Sequence, residues 1–195
     1  MTPVKIVAVQ SSPNREGLTA RLAEAALNGA ASLGAEIELV NLNDLHLSPC
    51  MACGQGWGHH FQPDELPADQ CVIRDGFAEL QAKVIDADGV IFCTPVYFHD
   101  LSESARVFLD RVRRCDWPLR EKAHLRGKPV VLIAAAGGSG NGALEAATQL
   151  EKLLLHFLGM KRVASLAVAR VNQGLQLTAA ESAGQLLVEV VRAGS

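Results

Sequence analysis

The sequence predicts one doubly wound α/β sandwich: a five-stranded parallel sheet with helices on both faces. Short β-branched apolar runs alternate with helical patterns five times. The runs "VKIVAV", "GVIFC" and "VVLIAAA" are almost continuously apolar, as strands buried on both faces of a parallel sheet are. A 195-residue chain with 49% hydrophobic and 20% charged residues suits one domain over 1–195 with ample core.

Strands are expected near 4–10, 36–41, 88–94, 129–135 and 163–169, and helices near 17–33, 73–86, 101–113, 142–157 and 178–193. In the first helix Leu18, Leu22, Ala25, Ala26 and Leu33 recur at helical spacing. The last is predicted to open on the capping box Thr178-Ala-Ala-Glu181. Right-handed crossovers then wind the sheet in both directions. The exception to this rhythm is an inserted polar segment, 43–72, whose length marks it as functional or disordered.

A net charge of −3 and a pI near 6.1 provide no basic field for nucleic acid, so small molecules are the expected partners. The N-terminus has no signal-peptide pattern and no run approaches a membrane span, which predicts a cytoplasmic protein. Five cysteines, Cys50, Cys53, Cys71, Cys93 and Cys115, suggest metal or core roles more than a disulfide framework.

Ligands of open α/β sheets bind beyond the carboxyl ends of the strands, where strand order reverses. Three strand ends carry unusual chemistry. After the first comes "SSPNREGLT": Ser11, Ser12 and Thr19 offer hydroxyls, Gly17 permits close backbone approach, Arg15 adds charge, and the helix start offers free N–H groups. It is neither a Walker loop nor a Gly-x-Gly-x-x-Gly turn. A serine-capped helix after a proline turn is the plainer reading.

After the third strand comes "TPVYFHDLSESARVFLDR": Thr94 and Pro95 stiffen the exit, Tyr97 and Phe98 offer π surfaces, and Asp100 and Ser102 lead into a helix. Alternatively, the two aromatics plug the core. After the fourth comes "AAAGGSGNGALEA", whose glycines let backbone lie flat against a planar ligand or simply form a flexible turn. Taken together, a phosphate loop, an aromatic slot and a glycine-rich edge describe a site for flavin mononucleotide (FMN).

These three segments resemble the flavin-binding segments of flavodoxin-fold NAD(P)H-dependent FMN reductases, most closely the iron–sulfur flavoprotein branch, over residues 4 to about 158. The resemblance implies strand order 2-1-3-4-5. It assigns Ser12, Asn14, Gly17, Leu18 and Thr19 to the phosphate, and Pro95, Val96, Tyr97 and Phe98 to the border of the isoalloxazine. Ala136, Gly137, Gly138 and Gly142 would approach its pyrimidine edge. Ser11 stands where the family has glycine, which would alter the loop's entry.

"SPCMACGQGWGHHFQPDELPADQC" resembles the four-cysteine region of the iron–sulfur flavoproteins, with Cys50, Cys53 and Cys71 in place and Gly56 where the third cysteine belongs. A cubane needs four ligands, so the incomplete set predicts no stoichiometric cluster. His59 or His60 would be needed to complete it, and the same donors would also suit zinc. Otherwise the loop is kept for its shape, with Trp57, His59 and Phe61 as a lid. Cys93 reads as core packing, and Cys115 as packing with Trp117 beneath a turn. His156 reads as helix surface. Arg111, Arg113 and Arg114 read as a solvated helix end, or as an attraction for nicotinamide-nucleotide phosphates.

The function expected is an FMN-dependent oxidoreductase taking hydride from NAD(P)H and passing electrons to a quinone, flavin or other small acceptor, with no catalytic triad because the flavin carries the chemistry. The backbone N–H groups of 137–140 would favour the reduced anion. A homodimer or homotetramer is expected. The rival is a flavodoxin-like or iron–sulfur flavoprotein electron carrier without nicotinamide activity. A receiver-like signalling domain ranks last, because Gln10 and two serines stand where its acidic residues would be.

Overall fold

The computed structural model describes residues 3–53 and 71–194. Strands β1 (Lys5–Gln10), β2 (Glu36–Asn41), β3 (Gly89–Tyr97), β5 (Pro129–Ala136) and β6 (Lys161–Ala169) form a parallel sheet in the order β2-β1-β3-β5-β6. A two-residue strand, β4 (Asp100–Leu101), folds back antiparallel on the end of β3. Setting β4 aside, this is the expected 2-1-3-4-5 order. The order reverses at β1, between β2 and β3.

Side-chain alternation divides the core in two. Val7, Val9, Phe92 and Leu132 point towards α2 (Phe77–Asp86), α3 (Glu103–Asp116) and α4 (Ala143–Glu151). Ile6, Ala8, Ile91 and Ile133 point towards α1 (Leu18–Ser32) and α5 (Gln173–Gly194). β1, β3 and β5 are buried on both faces, as continuous apolar runs require. β2 departs from that reading: Ile37 and Leu39 are exposed, because an edge strand has only one sheet neighbour.

Several boundaries move for local reasons. α2 starts at Phe77 because the Asp75 carboxylate accepts the Phe77 N–H at 3.1 Å. β3 runs past Thr94 to Tyr97 because β4 pairs with its last residues. After α4 the chain widens into a π-turn, Lys152–Phe157. α5 begins at Gln173, so Thr178 and Glu181 lie inside it and their capping-box reading fails. A 3₁₀ turn over Arg170–Asn172 runs straight into α5, and the Asn172 side chain accepts the Ala169 N–H at 3.2 Å, so the cap is made upstream. Among the described residues no helix is long and apolar enough to cross a membrane.

Candidate functional site: three loops at the reversal point

The segments at the carboxyl ends of β1, β3 and β5 converge, because these strands are sheet neighbours. The β1 loop is tightly bonded. Gln10 clasps Ser12, its Oε1 accepting the Ser12 N–H at 2.7 Å and its amide donating to the Ser12 carbonyl at 3.2 Å. The Ser12 hydroxyl accepts the Asn14 N–H at 3.2 Å, and the Asn14 side chain accepts the Glu16 N–H at 3.1 Å. Asn14 and Ser12 therefore shape the loop. Arg15 pairs with Asp44 at the surface.

What the loop leaves open is the start of α1. Its N-cap, Gly17, carries no side-chain cap, and no acidic residue lies in the first turn. The first-turn N–H groups around Leu18 and Thr19 and the positive end of the helix dipole are thus uncompensated, which suits an anion. The plainer reading, a serine-capped helix, does not hold.

Ser11 is fully buried, and it is put to use. Its hydroxyl donates to the Cys93 carbonyl at 3.3 Å and accepts from the Ser102 hydroxyl at 2.8 Å. Ser104 donates to the Ser11 carbonyl at 3.1 Å. The residue standing in place of glycine thus ties the β1 loop to β3 and to the start of α3, where Ser102 also caps the helix by accepting the Ala105 N–H.

The β3–β4 hairpin turns on Phe98 and His99, at φ 51° and 66°. Such a two-residue turn ordinarily takes Asn-Gly, so two bulky residues held left-handed are strained. Phe98 is fully exposed and Tyr97 about half exposed, so they are not core plugs; Pro95 is buried and Val96 half-buried behind them.

The glycine segment follows the buried Ala136. Gly138, Gly140 and Gly142 have φ of 59°, 84° and 83°, while a Cβ on Gly137 would meet nothing within 4 Å. Gly137 and Gly138 therefore border open space. Gly142 does not: a Cβ there would lie 2.6 Å from His99 Cα and 3.0 Å from Val96, so it seats the glycine loop against the hairpin.

On the other side of the hairpin lies a cleft of ≈ 660 Å³ lined by Ser11, Pro13, Asn43, His46, Tyr97 and Phe98, among others. One wall is the beginning of the 43–72 segment. Asn43, Ser102 and Ser104 join the site although the sequence offered only generic signals for them: a polar residue after a strand and a serine-rich helix start. The lid candidates Trp57, His59 and Phe61 and the ligand candidate His60 lie outside the described residues, as does Gly56.

Arg111 overturns its reading as part of a solvated helix end. It is fully buried, donating to Asp75 at 2.7 Å, the Ser48 carbonyl at 3.2 Å, Cys71 Sγ at 3.2 Å and the Ile73 carbonyl at 3.4 Å, with its guanidinium 4.1 Å over the Phe77 ring. It clamps both ends of the cysteine segment to α3. The sequence signal was its position beside the apolar stripe Ala105, Phe108, Val112. Arg113 instead lies over the Phe157 ring. His156 is on the surface and Cys93 in the core, as expected.

If the helix start and loop hold a phosphate, Thr19→Val with Ser12→Ala is expected to weaken FMN binding by more than tenfold, since hydrogen bonds to charged groups are worth ~1.5–3 kcal/mol each. Fluorescence titration checks this. Affinity within threefold of the unaltered chain would remove the anion from this loop.

Comparison with known proteins follows this geometry. Residues 4–174 match the family described as NADPH-dependent FMN reductase. An iron–sulfur flavoprotein of Methanocaldococcus jannaschii is 36% identical over 146 residues, covering 75% of this chain and 68% of that protein. An FMN-dependent NADH:quinone oxidoreductase of Bordetella parapertussis is 31% identical over 144 residues, covering 69% of each. Among solved structures, an NAD(P)H:quinone oxidoreductase from Methanothermobacter marburgensis superposes with a TM-score of 0.67 at 16% identity, over 95% of this chain and 96% of that one. An archaeal flavodoxin gives 0.61 at 15% identity, over 97% and 99%. The fold is thus flavodoxin-like, and the chain belongs to the NADPH-dependent FMN reductase family, with iron–sulfur flavoproteins among its relatives.

Proposed function

We propose that the chain takes hydride from NADH or NADPH through bound FMN and passes the electrons to a quinone, flavin or other small acceptor. The observation that carries this reading is the convergence, at one reversal point, of an uncapped helix start, a strained hairpin with exposed aromatic rings and an open glycine segment. These features fit FMN: Ser12, Asn14, Gly17, Leu18 and Thr19 would hold the phosphate. Pro95, Val96, Tyr97 and Phe98 would border the ring, and Ala136, Gly137 and Gly138 would meet its polar edge, with Gly142 fixing that loop against the hairpin. When bound, FMN supplies the group that accepts hydride and releases electrons.

The chain's own residues orient and exclude. Tyr97 and Phe98 present flat apolar surface, the N–H groups of 137–140 stabilise negative charge at the ring's polar edge, and no side chain has to move a proton. Donor and acceptor would take turns at one open ring face, giving ping-pong kinetics. The 43–72 segment, whose first residues wall the cleft, would set acceptor choice. Assembly as a homodimer or homotetramer would cover the exposed Leu144, Val171 and Leu175.

Anaerobic mixing of the FMN-loaded chain with NADH and with NADPH tests the reading. Bleaching of the flavin band within minutes by at least one is expected. If neither bleaches it, the electron-carrier function stands in its place.

A further inference from the structure

The cleft beside the β3–β4 hairpin is larger than the flavin reading uses. Its ≈ 660 Å³ falls within the roughly 300–1,000 Å³ of ordinary small-molecule sites. Much of its lining is apolar: buried Leu42 and Leu101, half-buried Leu47 and Val107, and the exposed rings of Tyr97 and Phe98. The polar side chains among its walls spend their donors on the protein itself. Ser102 Oγ donates to Ser11 Oγ at 2.8 Å, Ser104 Oγ donates to the Ser11 carbonyl at 3.1 Å, and Asn43 Nδ2 donates to that carbonyl and to Asn41 Oδ1, each at 3.1 Å. Among the described residues no lysine or arginine lines the cleft, whereas the exposed Glu103 does. A phosphate entering it would shed water and meet a carboxylate in place of a cation, which is costly. An uncharged apolar body meets no such penalty.

We propose that this cleft binds the hydrocarbon side chain of the electron acceptor, so that the preferred acceptor is an uncharged quinone bearing a prenyl or comparable substituent, and not a free flavin. The proposal rests on the FMN reading above and narrows its choice of acceptors.

Tyr97 and Phe98 connect the two places, since the hairpin that would border the isoalloxazine also lines the cleft. An acceptor whose head meets the flavin at this hairpin therefore has its side chain beside Leu42, Leu47, Leu101 and Val107. The cleft is also preset. His46 and Phe98, at φ 41° and 51°, line it from the stretch after β2 and from the hairpin. Strained residues of this kind persist only where the surrounding structure imposes them, so a ligand does not have to shape these walls. The side chain contributes binding and takes no part in the electron transfer. Full burial of each methylene strengthens binding roughly fourfold, so even a few buried carbons exceed tenfold.

The test is calorimetric titration of the full chain, with and without FMN and with no nicotinamide present, so that binding is read without turnover. The probes are 2,3-dimethyl-1,4-naphthoquinone, its ring-sulfonated counterpart and 2-methyl-3-geranyl-1,4-naphthoquinone. Substituents at both quinone carbons keep the cysteines from adding to them. The geranyl compound is expected to bind more than about tenfold tighter than the dimethyl compound. Val107→Trp, which fills the cleft, should erase that preference. Glu103→Lys, at an exposed position, should keep it and tighten the sulfonated probe by about threefold, the size of a partly screened charge effect. Melting curves show whether the variants are folded, and FMN titration reads the flavin site separately. The proposal is overturned if the geranyl and dimethyl compounds bind within about threefold of each other, if folded Val107→Trp keeps the preference, or if the sulfonated probe binds the unaltered chain as tightly as the geranyl one. An unmoved sulfonate affinity in Glu103→Lys would equally remove the charge argument. Bleaching by NADH or NADPH without a geranyl preference sinks this proposal alone, whereas a geranyl preference without bleaching sinks the hydride-transfer reading and the acceptor role with it.

Discussion

Replacing Arg111 with methionine is expected to cost about 3–5 kcal/mol of stability, the range for breaking a buried ion pair by removing one partner. The substitution strips Asp75, the Ser48 and Ile73 carbonyls and Cys71 of their donor at once. It also removes the cation stacked on Phe77. Urea unfolding measures the loss, and a cost below about 1 kcal/mol, the level of a surface pair, would refute the clamp. Adding Asp75→Asn to the Arg111 variant should recover part of the loss, because the carboxylate no longer lacks a countercharge.

Acid should reproduce the same loss. Burial alone would raise the Asp75 carboxyl, but the Arg111 hydrogen bond and the Ser48 and Phe77 N–H groups outweigh it and hold it below its ordinary value. A carboxyl depressed on folding adds stability above its unfolded pKa and loses it as the pH falls through the folded one. The unaltered chain should therefore lose stability below the ordinary carboxylate range, and the Arg111 variant should lose less over the same interval. Equal acid sensitivity in both would contradict the pairing.

Gly184→Ala should also be costly, with an expected loss of about 3 kcal/mol, the upper part of the usual overpacking range. A Cβ on Gly184 of α5 would lie 1.8 Å from the Ala26 carbonyl oxygen of α1, and a Cβ on Gly29 of α1 would lie 2.0 Å from the Glu181 carbonyl oxygen of α5. Each glycine thus lets its helix touch the other's backbone. No rotamer relieves a clash with backbone, so the helices must separate along a face built from Ala23, Ala26, Ala30, Ala180 and Ala183. At roughly 2–4 °C per kcal/mol for a chain of this size, the melting temperature should drop by about 6–12 °C. An unchanged melting temperature would mean that α1 and α5 slide freely.

The amino-acid sequence by itself determined the sheet and the sheet edge that carries the candidate site. Periodicity reports burial, and short runs such as "VVLIAAA", opened by β-branched residues and bounded by Pro and Gly, read as strands enclosed on both faces. Strand order then places the β1, β3 and β5 loops together, so Ser12, Tyr97, Phe98 and Gly137 were legible as neighbours on one edge of the sheet from their positions after these strands. Contacts between elements distant in the chain were decided by the tertiary structure alone. Ser11 looked like an irregular glycine replacement until Cys93 and Ser102 were beside it. Gly142 looked like ligand contact, yet the hairpin fills the space at its Cα. Gly29 and Gly184 carried no local signal, because a glycine chosen for close approach looks like any other until the opposing backbone is known. Arg111 shows the limit most clearly. Spacing within one segment relates only residues on neighbouring turns or strand positions, whereas the partners of a buried charge are whatever the fold brings within a few ångströms, here Asp75, Ser48, Cys71 and Ile73.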